Sequence, residues 1–405
     1  MLSIRLRMQQ ATAQLTPPIR RILLHSLLLG LAMSVADLLF NFYLVSLGYA
    51  SDTAGYLSTV YRFAGVIAGV PIGMLIDRTG AQRALIAGAL LFALGWIIQL
   101  TQTALWALVL TQALIGAAGL LALTSVVPLL TGVTSPEQRA AIFGMNAAAA
   151  LLIGLIGGTV GGLLPGIAAG FLSTGPQTTL AYQVALGIVV VLALIAIIPV
   201  IRPVELLANE RERPSTTNNK SERIPFRMLV RLSMPALLLG IGAGAFLPFQ
   251  NLFFRQQFQL SDEFVGTIVA CGALSMGLGA MFGSPIAKRI GLKRSSALLR
   301  ALSAPAMLLM MVPFLPVAVI GYFIRGWGIG ASYPLSDAFL MQIVSPRQRG
   351  TVVSALSICW SLGWAATSSI AGWSQSQHGF GPSMVVAAVA YVLSAASIMY
   401  LPDEV

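Results

Sequence analysis

Residues 73–83, Gly-Met-Leu-Ile-Asp-Arg-Thr-Gly-Ala-Gln-Arg, form a short charged segment between two long apolar runs. Ahead of it, Gly65, Gly69 and Gly73 recur every four residues, and Asp77 extends the series. At the helical period these positions fall on one face. In a membrane, such glycines let a neighbouring helix approach closely, and the charges mark where the helix leaves the lipid. The stretch therefore predicts a membrane-spanning helix that ends at this loop.

Composition places the rest of the chain in a membrane as well. Of its 405 residues, 57% are hydrophobic and only 9% are charged, whereas soluble domains carry about 25% charged residues. The net charge of +11 comes from short basic clusters scattered between apolar runs, which is typical of membrane topology and not of a nucleic-acid-binding surface. Cys271 and Cys359 lie inside apolar runs, so we interpret them as small core residues and not as a disulfide, metal site or catalytic thiol.

Apolar runs of about 20 residues, long enough to cross ~30 Å of hydrocarbon, predict twelve spanning helices. The first run follows Arg20 and Arg21 and continues to about Gly48. It is too long for a signal peptide, and no small-residue cleavage site follows it. The other predicted spans are 53–76, 84–101, 104–131, 138–163, 178–201, 227–256, 262–286, 295–314, 317–343, 348–373 and 382–401.

One long polar stretch, from Arg202 to Phe226, separates the sixth and seventh spans, and we interpret it as a flexible linker. It divides the chain into residues 1–201, a linker at 202–226, and residues 227–405. The expected fold is an all-α membrane protein, with twelve transmembrane helices in two pseudo-symmetric six-helix bundles.

The basic residues predict the orientation of these spans. Of the 24 Lys and Arg residues, 20 lie in or near the N-terminal tail, the linker and the even-numbered loops. The positive-inside rule makes those segments, and both termini, cytoplasmic. The other loops carry the acids Asp52, Asp262 and Glu263 instead. We therefore expect a multi-pass protein of the inner or plasma membrane.

The two halves repeat each other with an offset of about 210 residues. The motif Ser135-Pro-Glu-Gln-Arg139 returns as Ser345-Pro-Arg-Gln-Arg349. In each copy we expect Ser to cap a helix, with Pro in the first turn and Gln completing a capping box. Two copies in register indicate a duplicated six-helix unit, a plan known among transporters with sites at the repeat interface.

The glycine stripe returns in the second half as Ser275, Gly279, Gly283 and Ala287. One residue is then inserted, and a basic loop follows at 288–294. The second copy has no acid at the position of Asp77.

These features resemble the major facilitator superfamily: the charged loop after the second span, its copy after the eighth, the paired Ser-Pro-x-Gln-Arg motifs and the twelve-span plan. The resemblance implies alternating access to a central site, with the two loops forming a cytoplasmic gate. Ala81 and Gln112 depart from the family pattern, and the fifth span lacks a Gly-Pro pair. The last two departures weaken an assignment to drug–proton antiport. The expected gate residues are Gly73, Asp77, Arg78, Gly80, Arg83, Lys288, Arg289, Gly291, Lys293 and Arg294.

No pattern in the sequence points to an enzyme. His25 and His378 are the only histidines, and no phosphate loop, dinucleotide-binding pattern or metal-ligand cluster occurs. We therefore expect no cofactor and no metal, with energy supplied by gradients.

Polar residues at lipid depth are the candidates for function, because charges there are costly and usually face a cavity. Asp37 lies about 16 Å from the outer end of the first span, and Arg62 about 14 Å deep in the second. We expect them to meet near the midplane, with Asn41 on the face of Asp37. They form either a proton- or substrate-responsive pair or a static ion pair, and the sequence favours neither reading.

Arg325 and Asp337, on the tenth span, are the candidates in the second half. They are too far apart along one helix to pair with each other. Gln250 and Asn251 are the expected partners of Arg325, which we assign to the cavity, whereas Asp337 belongs either to the cavity or to the gate. Arg300 is expected to snorkel to the membrane surface.

Two further patterns are better explained by packing than by binding. Trp360 and Trp364, one turn apart, could stack on a substrate, but core or lipid packing is the favoured interpretation. The glycines of the fifth span, including Gly158 and Gly162, are typical of close helix packing.

The sequence thus predicts a secondary transporter that exports a small organic solute by alternating access, coupled to protons. The first alternative is uptake of a sugar- or acid-like solute by symport or facilitated diffusion. The second is a non-transporting membrane receptor or assembly factor on the same fold. The expected partners are a small-molecule substrate, protons and the lipid bilayer, without nucleic acid, and the expected state is a monomer.

Overall fold

A computed structural model describes residues 15–204, 224–345 and 348–402. In these residues the chain is built of helices, with no strand. The predicted linker falls largely outside the described residues. We number the long helical units α1 to α12 and treat closely spaced helical segments as one unit.

The first six units form the N-terminal bundle. Their bounds are α1 Pro17–Ser46, α2 Ser51–Thr79, α3 Ala81–Thr101, α4 Leu105–Val133, α5 Pro136–Leu172, and α6 Thr179–Ile195 with Ile198–Ile201.

The last six units form the C-terminal bundle. Their bounds are α7 Phe226–Phe246 with Gln250–Phe258, α8 Asp262–Phe282 with Ser284–Ile290, α9 Leu292–Leu309, α10 Leu315–Ile343, α11 Arg349–His378, and α12 Gly381–Met399.

The two bundles have the same internal packing, which confirms the predicted fold. In the first, α1 packs on α5 and α6, α2 on α4, and α3 on α4 and α6. In the second, α7 packs on α11 and α12, α8 on α10, and α9 on α10 and α12. The loops that open α3 and α9 also match, because Gly80 and Gly291 have φ of 86° and 84°, a conformation that only glycine adopts readily.

Ten helices of the described chain are long and apolar enough to cross a membrane. The other two long units are α9 and α10, which carry Arg300, Arg325 and Asp337. The interior charges Arg300, Arg325 and Asp337 therefore lie on the two long units that fall outside this group.

The expected capping boxes do not form as predicted. Ser135 is the N-cap of α5, but its side chain makes no capping hydrogen bond. The backbone N–H of Gln138, which such a cap would bind, donates to the Ser135 backbone carbonyl instead. In the second half, α11 begins at Arg349 with Gln348 as N-cap. There the Gln348 amide closes a turn onto the Ser345 carbonyl, so Ser345 is not the cap.

Contacts between helix ends define two sides of the molecule. The linker side holds the ends of α6 and α12, which are tied to neighbouring helix starts. Gln82 donates to the carbonyls of Val200 and Arg202 at 2.7 and 2.9 Å, and Lys293 donates to that of Leu401 at 2.7 Å. The start of α2 and the end of α11 lie on the other side, here called the opposite side.

The apolar core is continuous between the bundles only towards the opposite side. The main cluster contains buried residues of both bundles, such as Phe42 and Phe249. Near the linker side, one cluster around Leu130 belongs to the N-terminal bundle and another around Phe339 belongs to the C-terminal bundle. The packing thus joins the bundles at one end and leaves each with its own core at the other.

Candidate functional site

The opposite side is closed on its midline by two asparagines. Asn41 on α1 donates to the side-chain oxygen of Asn251 on α7 at 2.9 Å and to the Pro248 carbonyl at 2.5 Å. Asn251 donates in return to the Leu38 carbonyl at 2.6 Å. Asn41 corresponds to Asn251, and Leu38 to Pro248, at the repeat offset of 210. The contact is therefore reciprocal about the pseudo-twofold axis between the bundles.

Two helix crossings flank this pair, and glycines set the distance in both. At the crossing of α2 and α11, a Cβ on Gly55 would lie 2.3 Å from the Ser368 carbonyl oxygen. At the crossing of α8 and α5, a Cβ on Gly266 would lie 2.3 Å from the Gly158 carbonyl oxygen. Gly158 corresponds to Ser368 at the same offset, so the crossings are pseudo-equivalent. The predicted packing role of the fifth-span glycines is confirmed.

Side-chain hydrogen bonds reinforce the crossing of α2 and α11. Thr59 donates to the Ala365 carbonyl at 2.6 Å and accepts a hydrogen bond from Ser369 at 2.8 Å. The Trp364 indole donates to the Ser58 hydroxyl at 3.1 Å. This crossing therefore carries polar contacts between the bundles beside its glycines.

A charged cluster at the opposite side also bridges the bundles. Arg255 of α7 forms an ion pair with Asp262 of α8 at 3.4 Å. Tyr182 of α6 donates to Asp262 at 2.5 Å and accepts from Arg255 at 2.9 Å. The Arg255 guanidinium also lies 4.6 Å from the centre of the Phe42 ring. The sequence analysis missed this cluster, although all three polar residues sit at predicted helix ends.

Arg62 and Asp37 do not form an ion pair within the described residues. The guanidinium of Arg62 instead lies over the rings of Trp364 and Trp360, 4.4 and 5.0 Å from their centres. These tryptophans belong to the other bundle, so Arg62 makes a cation–π contact across the interface. Asp37 still interacts electrostatically with Arg62. Asp37 and Arg62 therefore lie within electrostatic range of each other but do not make the contact that was expected.

Asp37 lines a cavity of about 360 Å³ inside the N-terminal bundle, here called the N cavity. Residues of α1, α4 and α5 form its walls, from His25 near the linker side to Asp37 at the other end. The Asp37 side chain is exposed in it. Asn41, one turn further along α1, belongs instead to the closed midline.

A second cavity of about 550 Å³, here called the C cavity, lies at the pseudo-equivalent place between α7, α10 and α11. Asp337 lines it, as does Arg300 from α9. The prediction that Arg300 snorkels to the surface is wrong, because its side chain is 2% exposed and donates to the hydroxyls of Ser332 and Ser394, both at 3.0 Å. These hydroxyls, on α10 and α12, hold the guanidinium inside the bundle.

Arg325 is buried between aromatic rings of its own bundle. It donates to the Tyr391 hydroxyl at 3.1 Å and lies 5.7 Å from the centre of the Tyr322 ring. Gln250 accepts a hydrogen bond from the Tyr322 hydroxyl at 2.7 Å. Its connection to Arg325 is therefore indirect, through the ring of Tyr322. Asn251, the other expected partner, is engaged at the midline.

The predicted gate residues are exposed to solvent on the linker side. All except Lys293 are exposed, and a Cβ on Gly73 would meet no atom within 4 Å. Among the described residues, Asp77 forms no hydrogen bond or ion pair. With the opposite side closed and each bundle keeping its own core near the linker side, the structure corresponds to a state open towards the linker side.

No group of three or more potential metal ligands occurs in the described residues. Besides the cluster of Arg255, Asp262 and Tyr182, sequence reasoning missed the place of Arg300 in the C cavity and that of Trp360 and Trp364 beside Arg62. Their spacing of one helical turn was the available signal, but their position against Arg62 depends on packing between the bundles.

Comparison with known proteins agrees with this architecture. The sequence profile of the Major Facilitator Superfamily matches residues 22–239 and again 232–405. An uncharacterized MFS-type transporter of Bacillus subtilis, YceJ, is 23% identical over 85% of this chain and 86% of its own length.

Two further similarities are more distant or shorter. A putative niacin/nicotinamide transporter of Bacillus subtilis, NiaP, is 26% identical over 36% of this chain and 37% of its own. The crystal structure of the nucleoside transporter NupG superposes with a TM-score of 0.75, at 14% identity, over 95% of this chain and 99% of that one. The latter similarity shows the fold alone.

Proposed function

Because the chain belongs to the major facilitator superfamily, we propose that it moves a small organic acid across the cell membrane by alternating access coupled to protons. Family and fold make it a membrane transporter and not an enzyme. The observation that supports the mechanism is a cavity in each bundle together with crossings that close only the opposite side. Transport then requires the crossings to separate while the linker side closes.

The linker side is the cytoplasmic side in this proposal, because the basic residues of the tail, linker and even-numbered loops favour it. The chain acts as a monomer with both termini in the cytoplasm. The loops at 77–83 and 288–294 form the gate that closes when the opposite side opens, and Asp77 makes its contacts only in that state.

Two features support an acid-like cargo. The NiaP relative is described as a niacin/nicotinamide transporter, and niacin is a small carboxylic acid. In this chain, the cation Arg300 lines the larger cavity, and guanidinium groups suit carboxylates well. Efflux is the direction that the sequence analysis favours, and uptake is the alternative.

Asp37 is the proposed coupling residue. It is exposed in the N cavity, and among the described residues it makes no hydrogen bond. The groups that act on it electrostatically are Arg62 and Tyr61 of α2, and His25 lies at the other end of the cavity. A carboxylate that is free to gain and lose a proton beside a fixed cation meets the requirements of a coupling site.

Flux measurement in liposomes tests the proposal. The purified full chain is reconstituted and supplied with radiolabelled nicotinate or other small carboxylates, with and without an imposed proton gradient, and movement is measured in both directions. We expect gradient-driven accumulation, which Asp37→Asn abolishes while counterflow exchange persists. Asp52→Asn, which removes a carboxylate outside both cavities, should behave as wild type. Absence of flux for every compound in both directions would overturn transport and favour the receptor alternative.

The gate is tested separately at Asp77. We expect Asp77→Asn to reduce flux at least tenfold, because one charged gate contact contributes roughly 1.5–3 kcal/mol. Ligand binding to the state open towards the linker side should be unchanged, since Asp77 forms no hydrogen bond or ion pair with a described residue there. Flux equal to wild type would remove Asp77 from the gate.

A further inference from the structure

The C cavity contains two opposite charges that interact electrostatically but are not in contact. Arg300 on α9 and Asp337 on α10 both line it, yet they form no ion pair within the described residues. Arg300 is 2% exposed, whereas the Asp337 side chain is exposed in the cavity. Each charge therefore faces the same space without a partner of opposite sign in contact.

An unpaired buried cation is costly, because desolvation of a single ion costs several kcal/mol even after relaxation. The hydroxyls of Ser332 and Ser394 accept hydrogen bonds from Arg300 at 3.0 Å. They are neutral and occupy two of the five N–H donors of a guanidinium. A bound anion at the cavity wall would compensate the positive charge of Arg300, which these neutral hydroxyls leave in place.

The fold itself does not require these charges. Counted from the matched loop glycines Gly80 and Gly291, the residue that corresponds to Arg300 is Ala89, which is fully buried. Counted from Ser135 and Ser345, the residue that corresponds to Asp337 is Val127, which lines the N cavity. The N-terminal bundle thus builds the same architecture with apolar side chains at both positions.

The remaining walls suit a compact organic body. Tyr333 and Trp360 supply aromatic surface, and Leu340 and Leu356 supply aliphatic surface. The volume of about 550 Å³ lies within the range of small-molecule sites. The cavity therefore combines an apolar body-binding surface with one cationic and one anionic anchor.

We propose that the C cavity binds a small zwitterionic solute, with its carboxylate on Arg300, its cationic nitrogen on Asp337 and its apolar body against Tyr333 and Trp360. Such a ligand satisfies both charges at once, whereas a simple acid leaves Asp337 facing its carboxylate and a simple amine leaves Arg300 unpaired. The inference rests on the proposed transport function and narrows its substrate class.

Three ligands of matched shape test this site: phenylalanine as the zwitterion, 3-phenylpropionate as the acid and 2-phenylethylamine as the amine. Leucine serves as a second zwitterion with an aliphatic body. Binding to the purified full chain in detergent is measured by calorimetric titration. We expect a zwitterion to bind at least tenfold more tightly than the acid or the amine.

The two cavity variants should each remove a different ligand preference. Arg300→Gln should remove the advantage of the zwitterion over the amine, and Asp337→Asn should remove its advantage over the acid. Arg227→Gln, which removes an exposed charge at the start of α7, should leave the preferences unchanged. Asp337 is exposed in the cavity, so Asp337→Asn keeps the test decisive if Arg300→Gln does not fold.

Equal binding of acid and zwitterion, binding of neither zwitterion, or an unchanged preference in Asp337→Asn would overturn the inference. Flux of a simple acid in the liposome experiment without preference for zwitterions would also overturn it while leaving transport established. Absence of all flux would instead overturn the proposed function.

Discussion

The two crossings that close the opposite side have the same backbone geometry but different side chains. At α2 and α11, Gly55 lies against the Ser368 carbonyl, and at α8 and α5, Gly266 lies against the Gly158 carbonyl. The first crossing adds hydrogen bonds through Thr59 and a cation–π contact. At the second crossing, the glycines of α5 lie against Ala270 and against backbone atoms of Gly266 and Asp262.

This difference separates two tasks. Glycines set the distance between the bundles equally on both sides of the pseudo-twofold axis. Only the crossing of α2 and α11 places a charge, Arg62, within electrostatic range of Asp37 and in contact with Trp360, which lines the C cavity. That crossing therefore links the two cavities, whereas the other is a mechanical contact.

Replacing the crossing glycines should have the largest effect and tests whether the crossings are mechanically equal. In Gly55→Leu and Gly266→Leu, the new Cβ would lie 2.3 Å from a carbonyl oxygen of the facing helix, and overpacking of this kind costs roughly 1–3 kcal/mol or more. We expect each to reduce flux at least tenfold by preventing closure. Liposome flux and the reactivity of Ser58→Cys towards an impermeant maleimide measure this.

The matched control is Gly144→Leu, because a Cβ on Gly144 would meet no atom within 4 Å. Wild-type flux in only one of Gly55→Leu and Gly266→Leu would show that the crossings are unequal and break the comparison.

The midline pair belongs to neither crossing, and its loss should have an intermediate effect. Asn41→Ala or Asn251→Ala leaves a buried amide or carbonyl unpaired, which destabilises the closed opposite side by about 1–3 kcal/mol. We expect each to favour opening and the double variant to cost less than the sum, because the residues share one contact. The maleimide reactivity of Ser58→Cys reports the equilibrium, with Gln256→Ala as an exposed control. Additive effects would show that the two asparagines act independently.

The cation–π contact should have the smallest effect, because such contacts contribute about 0.5–2 kcal/mol. Trp364→Leu should shift closure of the opposite side a few-fold and, by freeing Arg62, change the pH dependence of flux through Asp37. Trp373→Leu, which removes an exposed tryptophan of the same helix, is the control. An unchanged pH profile would remove the proposed link between the cavities and make the two crossings alike in function.

The sequence predicted what depends on local pattern. The twelve helices followed from runs of apolar residues, the two bundles from the repeat, and the packing role of Gly158 and Gly162 from their spacing. The same spacing was misleading at Gly65, Gly69 and Gly73, where an added Cβ would meet no atom closer than 3.9 Å. The positions of Asp37 and Arg62 followed from depth along single helices. Each of these features is set within one helix or by comparison of two similar segments.

What depends on the packing of distant helices could not be predicted in this way. The surroundings of Arg62 require the registry of α2 against α11, and the burial of Arg300 requires hydroxyls on α10 and α12. The partner of Asn41 is different, because Asn251 stands at the repeat offset of 210. A search for polar residues shared by the two halves of the chain would have found that pair.

The reciprocal contact of Asn41 and Asn251 also bears on how the chain arose. In a homodimer with twofold symmetry, the interface is isologous, and only residues on the axis meet their own copies. Asn41 and Asn251 are such copies, and each reaches the carbonyl three residues before its partner. The midline of this single chain therefore has the form of a self-complementary dimer interface between two six-helix halves, as expected if the chain arose by duplication of one such unit.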